Sequence, residues 1–237
     1  MTTVLLCRHG ETAWNRERRV QGWAPTSLTD RGCEQSGALA DHVAAGYDVD
    51  RVVASDLERA AETARVLGRA VGADPELDPA WRERDFGRLQ GLSYADLFEG
   101  YPEYALGETG HAAAEATPEG GESLLAMRER VLTAWEGLLA EAANGVDGVA
   151  NGEPRANGAE RTDRAIGADR TVAVVTHGGP LYAVTGAVKG LDLVAATLEQ
   201  EQGNCALNEV RVRDGDATLV AENETGFQAE ATVQRNY

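Results

Sequence analysis

The chain has 237 residues, of which 39 are acidic and 22 are lysine or arginine, giving a net charge of −17. A surface this acidic disfavours binding to nucleic acid and to anionic membranes. Apolar residues make up 43% of the sequence, enough for a sizeable core. The sequence contains no run of about 18 apolar residues, so we expect no transmembrane helix. The first residues, MTTVLLCRHGET, have no basic segment before their short apolar run, so we expect no signal peptide.

The cysteines indicate the cellular compartment, and the scarcity of lysine indicates the salt concentration in which the protein works. Cys7, Cys33 and Cys205 show no paired spacing, so we expect neither disulfides nor a zinc site. Free thiols suit a reducing compartment, and we expect a cytoplasmic protein. Lys189 is the only lysine, and an acidic, lysine-poor composition is typical of proteins adapted to high salt. GC-rich coding is the alternative explanation, but the acid excess favours the halophilic one.

The first part of the chain alternates predicted strands and helices. Thr3–Cys7 is a short apolar run that predicts a strand ending in Arg-His-Gly. A helix follows over Thr29–Ala45, with Thr29 as its N-cap, and Arg51–Ala54 predicts a second strand. Ser55–Glu58 fits a capping box, which predicts that the next helix starts there and runs to about Val71.

The second half continues this alternation after an interruption. Apolar residues at helical spacing predict a helix over Ser123–Ala143. Residues 144–169 are rich in Gly, Asn and acidic residues, and we expect a flexible surface insertion within a single domain of residues 1–237. Thr171–Thr176 predicts a buried strand, and Pro180 suits the first turn of the helix after it. A hairpin is expected around Asp214-Gly215-Asp216.

Strands that alternate with helices predict an α/β fold, with a mostly parallel sheet between two helical layers. Ligands in such folds bind beyond the carboxyl ends of the strands. His9 and His177 each follow a strand and precede a glycine, while Arg59 lies in the first turn of the helix after the second strand. Together with Arg8, they predict an anion pocket that contains a nucleophilic imidazole, because guanidinium groups match phosphate oxygens.

Short motifs in a fixed order support a closer resemblance. Arg8-His9-Gly10-Glu11-Thr12 surrounds the first histidine, and Trp14-Asn15 follows. The later motifs are Gln21-Gly22, Leu28-Thr29-Asp30-Arg31-Gly32, Ser55-Asp56-Leu57-Glu58-Arg59-Ala60, Glu83-Arg84-Asp85-Phe86-Gly87, Gly121-Glu122-Ser123 and Thr176-His177-Gly178-Gly179. From about Val4 to Val212 the chain resembles the histidine phosphatase superfamily, whose best-known branch is the cofactor-dependent phosphoglycerate mutases. The resemblance implies the phosphoglycerate mutase-like three-layer α/β/α sandwich.

The resemblance also implies the roles of the site residues. His9 attacks phosphorus and becomes phosphohistidine, and Glu83 protonates the leaving oxygen and later activates water. A glutamate is normally ionised at neutral pH, so burial or the phosphate charge must keep Glu83 protonated. His177, Arg8 and Arg59 complete the catalytic set. The phosphate-binding set is Arg8, Asn15, Gln21, Gly22, Arg59, His177 and Gly178. No metal and no cofactor are expected, since arginines supply the positive charge.

The choice between a phosphatase and a mutase depends on the cap, residues 93–121. Mutases of this family carry a lysine soon after the Gln-Gly that follows the acid, and an arginine pair in the cap. Here Tyr94 takes the place of that lysine, and Ser93–Met127 contains neither Lys nor Arg. This favours hydrolysis of a small phosphomonoester with an apolar part, since Tyr94, Phe98, Tyr101 and Tyr104 lie in the cap.

Three questions stay open at this point. The mutase-like motif around Glu83 keeps a phosphoglycerate mutase as the alternative activity. A binding or regulatory module with an inactive site is a second alternative, although every catalytic position is filled. The sequence also leaves the oligomeric state open, with a homodimer as one alternative to a monomer.

Overall fold

The structure is a computed structural model that describes residues 1–144 and 169–228. Its strands are β1 (Thr2–Arg8), β2 (Arg51–Ala54), β3 (Pro75–Leu77), β4 (Arg170–Thr176), β5 (Leu207–Arg213) and β6 (Asp216–Glu224). Its α-helices are α1 (Ala13–Arg16), α2 (Asp30–Gly46), α3 (Glu58–Val71), α4 (Tyr94–Gly100), α5 (Leu106–Thr109), α6 (His111–Glu115), α7 (Leu124–Asn144), α8 (Gly178–Lys189) and α9 (Leu193–Leu198). Short 3₁₀ helices span Pro79–Trp81, Gly87–Leu89 and Pro102–Tyr104.

In the part of the chain that the structure describes, the strands form one sheet in the order β3-β2-β4-β1-β5-β6. The pairs β2–β3, β2–β4 and β1–β4 are parallel, whereas β5 runs antiparallel to β1 and pairs with β6 as a hairpin. The sheet is therefore mixed, with a parallel part of four strands. The carboxyl ends of β1, β2 and β4 meet at the same edge, where loops from all three converge.

Apolar side chains on both faces of the sheet create two cores. Leu5 of β1 packs on one face with Leu39 of α2 and Leu67 of α3. Leu6 belongs to the core on the other face, which includes Met127 of α7 and Leu181 of α8. The central strands are buried on both faces, which explains their nearly continuous apolar sequences. The predicted three-layer α/β/α arrangement is confirmed.

Most of the predicted elements are confirmed with shifts of one or two residues at their ends. Thr29 is the N-cap of α2, and its hydroxyl accepts the Gly32 N–H. Along β1, Cys7 lies in the core on the Leu5 face, so its side chain points away from that of Arg8. All three cysteines are unpaired. The predicted insertion over 144–169 lies almost entirely outside the described residues.

The capping box predicted at Ser55–Glu58 is wrong. Helix α3 begins at Glu58, its N-cap is Leu57, and no side chain caps it. The reason is that sheet pairing continues past β2, because the Ser55 N–H donates to the carbonyl oxygen of Val175 at 3.0 Å. Ser55 is thus held in extended backbone ahead of the helix, and its hydroxyl makes other contacts.

The four aromatic residues of the predicted cap have two kinds of surroundings. Tyr101 and Tyr104 pack against a cluster that contains Leu89 and Leu97. Tyr94 and Phe98, by contrast, are among the exposed large side chains of α4. The chemistry that the cap presents to a substrate therefore depends on α4 more than on the residues after it.

Candidate active site

His9 and His177 lie side by side because they follow paired parallel strands. Arg8 is opposite Thr176 in the β1–β4 ladder, and the His9 N–H donates to the Thr176 carbonyl oxygen at 3.0 Å. The two imidazole rings have centroids 5.1 Å apart and planes inclined by 57°. They are 2% and 0% exposed. The sheet thus brings together two buried histidines that are distant in sequence.

The hydrogen bonds of His9 fix which of its nitrogens is basic. Nδ1 lies 2.7 Å from the carbonyl oxygen of Gly10, which can only accept, so Nδ1 carries the proton. Nε2 therefore has the lone pair, and it accepts from Nε of Arg59 at 3.3 Å. Burial, and then the charges of Arg59 and Arg8, lower the pKa of His9 well below its usual value. The imidazole is neutral at physiological pH, as a nucleophile requires.

Arg59 is held by backbone carbonyl groups from the loop after α1. It lies in the first turn of α3 and is 1% exposed. Its Nη2 donates to the Gly22 carbonyl oxygen at 2.8 Å, and Nη1 to that of Ala24 at 3.3 Å. Burial lowers the pKa of Arg59 to about 10, so the side chain is still charged at neutral pH. Gly22 therefore serves the pocket by anchoring Arg59.

Two polar atoms at the same edge of the sheet are buried without a partner among the described residues. They are Nε of Arg8 and Nδ1 of His177. Nη1 of Arg8 donates to the carbonyl oxygen of Gln202, and Nε2 of His177 lies 2.8 Å from the Ser55 hydroxyl. Burial, and then the charge of Arg59, lower the pKa of His177 well below its usual value. Unpartnered polar atoms are costly to bury, which indicates a site shaped for a ligand.

The amide groups of Asn15 and Gln21 are oriented by neighbouring hydroxyl and N–H groups. Oδ1 of Asn15 accepts from the N–H of Thr12 at 3.1 Å and from Nδ2 of Asn204 at 3.3 Å. Oε1 of Gln21 accepts from the hydroxyls of Thr12 and Thr26, both at 2.9 Å. Because the oxygens are engaged, the NH₂ groups are the parts that can donate to an anion.

Glu83 faces the start of α8, directly after His177. Its Oε2 accepts from the Gly179 N–H at 3.2 Å, and its Oε1 accepts from the Arg84 N–H at 2.9 Å. A Cβ on residue 179 would lie only 2.2 Å from Oε1, so this approach requires glycine. Gly178 is the first residue of α8, where N–H groups lack intrahelical partners. A carboxyl group is therefore placed beside the histidine pair.

A model of the histidine phosphatase superfamily (branch 1) matches residues 4–154 and 153–225. The chain belongs to the histidine phosphatase superfamily. The resemblance predicted from the motifs is thus confirmed, and the match covers most of the chain.

Individual relatives of this histidine phosphatase match over most of their length. Phosphoglycerate mutase-like protein 4 of Arabidopsis thaliana is 29% identical over 232 residues, covering 94% of this chain and 88% of the relative. Glucosyl-3-phosphoglycerate phosphatase of Mycolicibacterium vanbaalenii is 32% identical over 189 residues, covering 79% and 74%. The structure of a mycobacterial glucosyl-3-phosphoglycerate phosphatase with VO3 matches with a TM-score of 0.73 at 27% identity, covering 93% of this chain and 98% of that one.

The histidine phosphatase site contains contacts that the sequence analysis missed. Asn204 donates from Nδ2 to the His9 carbonyl oxygen at 3.2 Å, and the Cys205 N–H donates to the same oxygen at 3.1 Å. This loop precedes β5, which pairs antiparallel with β1, so the loop lies at the carboxyl end of β1. The predicted hairpin did not indicate that the loop with Asn204 and Cys205 lies beside His9. That contact depends on the strand order, which places β5 next to β1.

Neither a metal cluster nor a membrane-spanning helix is found in the described part of this histidine phosphatase. Within residues 1–144 and 169–228, His, Cys, Asp and Glu side chains do not group in threes as metal ligands would. No helix in those ranges is both long and apolar enough to cross a membrane. The positive charge at the site comes from Arg8 and Arg59.

Proposed function

We propose that this chain is a metal-independent phosphomonoester hydrolase that transfers the phosphoryl group first to Nε2 of His9 and then to water. The observation that carries the proposal is the Nδ1–H bond from His9 to the Gly10 carbonyl oxygen, which leaves Nε2 as the nucleophilic nitrogen. Arg59 lies next to that nitrogen and is charged at neutral pH. Nucleophile and anion binder are thus adjacent in a buried site.

The chemistry follows from the placement of these groups. Nε2 of His9 forms a bond to phosphorus as the bond from phosphorus to the ester oxygen breaks, and Glu83 donates a proton to the departing oxygen. In the second step, Glu83 takes a proton from water, which attacks phosphorus and releases His9. Such acid–base assistance typically contributes about 10²–10⁴-fold, and the covalent intermediate divides one difficult transfer into two.

The phosphoryl oxygens are held by donors that are already in place. Arg8 and Arg59 supply fixed charge, and Nδ1 of His177 and the amide of Asn15 add neutral donors. Arg59 and His177 are buried, and backbone carbonyl groups hold both guanidinium groups, so these donors need little reorganisation when charge shifts in the transition state. The two guanidinium groups then stabilise the negative charge of the phosphoryl oxygens, as a metal ion does in other phosphatases.

Tyr94 supports water, and not a second phosphate ester, as the acceptor. Although Tyr94 is 45% exposed, burial of its phenol and then the charge of Glu83 raise its pKa to about 12. The charge of Arg8 acts in the opposite direction and lowers this pKa, but by less. A neutral hydroxyl here offers no positive charge to retain a doubly phosphorylated intermediate. The relative from Arabidopsis, named as mutase-like, keeps phosphoglycerate mutase as the second candidate.

The substrate class that fits is a small phosphomonoester with an apolar part, for which the exposed Tyr94 and Phe98 of α4 are the support. The phosphatase relative is named for glucosyl-3-phosphoglycerate, a phosphorylated glyceric acid derivative. We further propose that the protein works in the cytoplasm at high salt, for which the three unpaired cysteines and the net charge of −17 are the support.

Phosphate release from a panel of phosphomonoesters, measured in molar KCl with and without a chelator, tests this function. We expect turnover that chelators leave unchanged and that vanadate inhibits. His9→Ala should abolish turnover, while His111→Ala, at an exposed position on α6, is the matched control. Loss of activity on chelation that magnesium restores would contradict the proposal. Conversion of 2-phosphoglycerate to 3-phosphoglycerate without net phosphate release would establish the mutase instead.

A further inference from the structure

One arginine from a distant helix donates hydrogen bonds to the backbone around Glu83. Arg130 lies on α7, and its Nη1 donates to the carbonyl oxygens of Ala80 at 2.9 Å and Arg82 at 3.0 Å. Its Nη2 donates to the carbonyl oxygen of Glu83 at 3.3 Å. A single planar guanidinium thus holds three carbonyl groups of the segment that leads to the carboxyl group.

Glu122 completes the arrangement on the other side of Glu83. Nη2 of Arg130 also donates to Oε1 of Glu122, and that oxygen accepts the Asp85 N–H at 3.1 Å. The Glu122 N–H in turn donates to the Asp85 carbonyl oxygen at 2.9 Å. The Arg130–Glu122 pair is therefore bonded to the chain both before and after Glu83. The charge of Arg130 is also among the causes that lower the pKa of His177.

Close packing of two chain segments makes this arrangement rigid. A Cβ on residue 121 would lie 2.4 Å from the Asp85 carbonyl oxygen, and one on residue 87 would lie 2.1 Å from that of Glu119. The segments 83–87 and 119–122 therefore run in contact through glycines. Trp23 adds a further bond, from its Nε1 to the Glu83 carbonyl oxygen at 2.7 Å.

We propose that Arg130 and Glu122 are positioning residues that fix the carboxyl group of Glu83 for proton transfer. The inference rests on the proposed function, in which Glu83 is the general acid. Proton transfer requires the acid to be within hydrogen-bond reach of the departing oxygen. A displacement of about 1 Å can cost on the order of 10²-fold, so loss of the Arg130 contacts slows reactions that need the acid.

The leaving group of the substrate provides the test. An alkyl phosphate needs a proton on its departing oxygen, whereas p-nitrophenolate is stable enough to leave without one. We expect Arg130→Met to lower kcat/KM for the best alkyl phosphate about 10–100-fold, and that for p-nitrophenyl phosphate less than about threefold. Arg130 lines a cleft of about 550 Å³, so the smaller side chain enlarges an open cleft and leaves no sealed cavity.

Matched variants separate the outcomes. Arg128→Met, two residues earlier on α7, should leave both substrates unaffected. Glu122→Gln retains an acceptor for the Asp85 N–H but loses the ion pair, and it should reproduce the selective loss if Arg130→Met does not fold. An equal loss for both substrates would show a purely structural role and overturn the inference. If Glu83→Gln itself shows no dependence on the leaving group, the proposed acid role of Glu83 fails, independently of Arg130.

Discussion

The hydroxyl of Ser55 lies 2.8 Å from Nε2 of His177, joining the ends of two neighbouring parallel strands. The same hydroxyl oxygen accepts the Leu57 N–H at 3.3 Å, and its own proton is available for the imidazole. We infer that the hydroxyl donates to Nε2 of His177, which puts the proton of the neutral ring on Nδ1, a buried atom that has no partner among the described residues. In this tautomer, Nδ1 of His177 is the nitrogen that would donate to the phosphoryl group of the proposed reaction.

Removal of this hydroxyl should reduce activity more than stability. We expect Ser55→Ala to lower kcat/KM roughly tenfold, because one hydrogen bond is worth about 0.5–1.5 kcal/mol and 1.4 kcal/mol is tenfold. The measurement is steady-state phosphate release together with thermal unfolding. Ser27→Ala is the matched control, since the Ser27 hydroxyl bonds Glu58 outside the histidine pair. Unchanged kinetics in Ser55→Ala would contradict the assignment of the His177 proton.

The nucleophile can be identified by trapping. Incubation with a ³²P-labelled phosphomonoester and rapid quenching should leave label on His9 that is lost in acid and stable in base, as expected for phosphohistidine. The neutral Nε2 of His9 is the reason that the label should go there. His177→Ala should still accept label, although slowly, whereas His9→Ala should accept none. Label that persists in His9→Ala would rule out the mechanism.

The two buried histidines should make stability depend on pH. Their pKa values are lowered in the folded state, mainly by burial, while the unfolded chain has the ordinary value of about 6.5. Below about pH 6.5, the unfolded state therefore binds protons that the native state does not, and the free energy of unfolding falls. The expected slope is about 1.4 kcal/mol per pH unit for each histidine, until the folded pKa is reached.

Denaturant unfolding at about pH 7.5, 6.5 and 5.5 in constant molar KCl measures this dependence. We expect the slope to decrease in His177→Asn and in His9→Ala, since each variant removes one proton-binding group from the unfolded state. His111→Ala should retain the wild-type slope because its side chain is exposed. If all three variants showed the wild-type slope, some other group would account for the loss of stability.

Salt should affect the fold and the site differently. The net charge of −17 repels itself at low salt, and the Debye length falls from about 8 Å at 0.15 M to about 3 Å at 1 M. We expect the melting temperature to rise steeply between about 0.1 and 2 M KCl, while KM changes little, because Arg59 and Arg8 act at contact distance. A flat melting temperature would contradict the halophilic interpretation. A continuous rise in KM with salt would contradict the buried pocket.

The sequence by itself determined the family, the alternation of strands and helices, and the residues of the histidine pair. His9 and His177 could be predicted because each stands directly after a strand with a strong apolar pattern, and Arg59 because it follows the next strand within one helical turn. Local patterns of this kind depend on neighbours in sequence, so they can be read without the fold.

Only the tertiary structure decided which hydrogen-bond partners orient those residues. The role of Ser55 was mistaken for a helix cap because its actual partner, His177, becomes a neighbour through the β2–β4 pairing. The hydrogen bond from Arg130 to the carbonyl oxygen of Glu83 likewise joins α7 to a loop that is distant in sequence. Hydrogen bonds that fix a tautomer or a carboxyl group depend on distances of a fraction of an ångström between distant segments. Such distances are set by packing and leave no periodic signal in the chain.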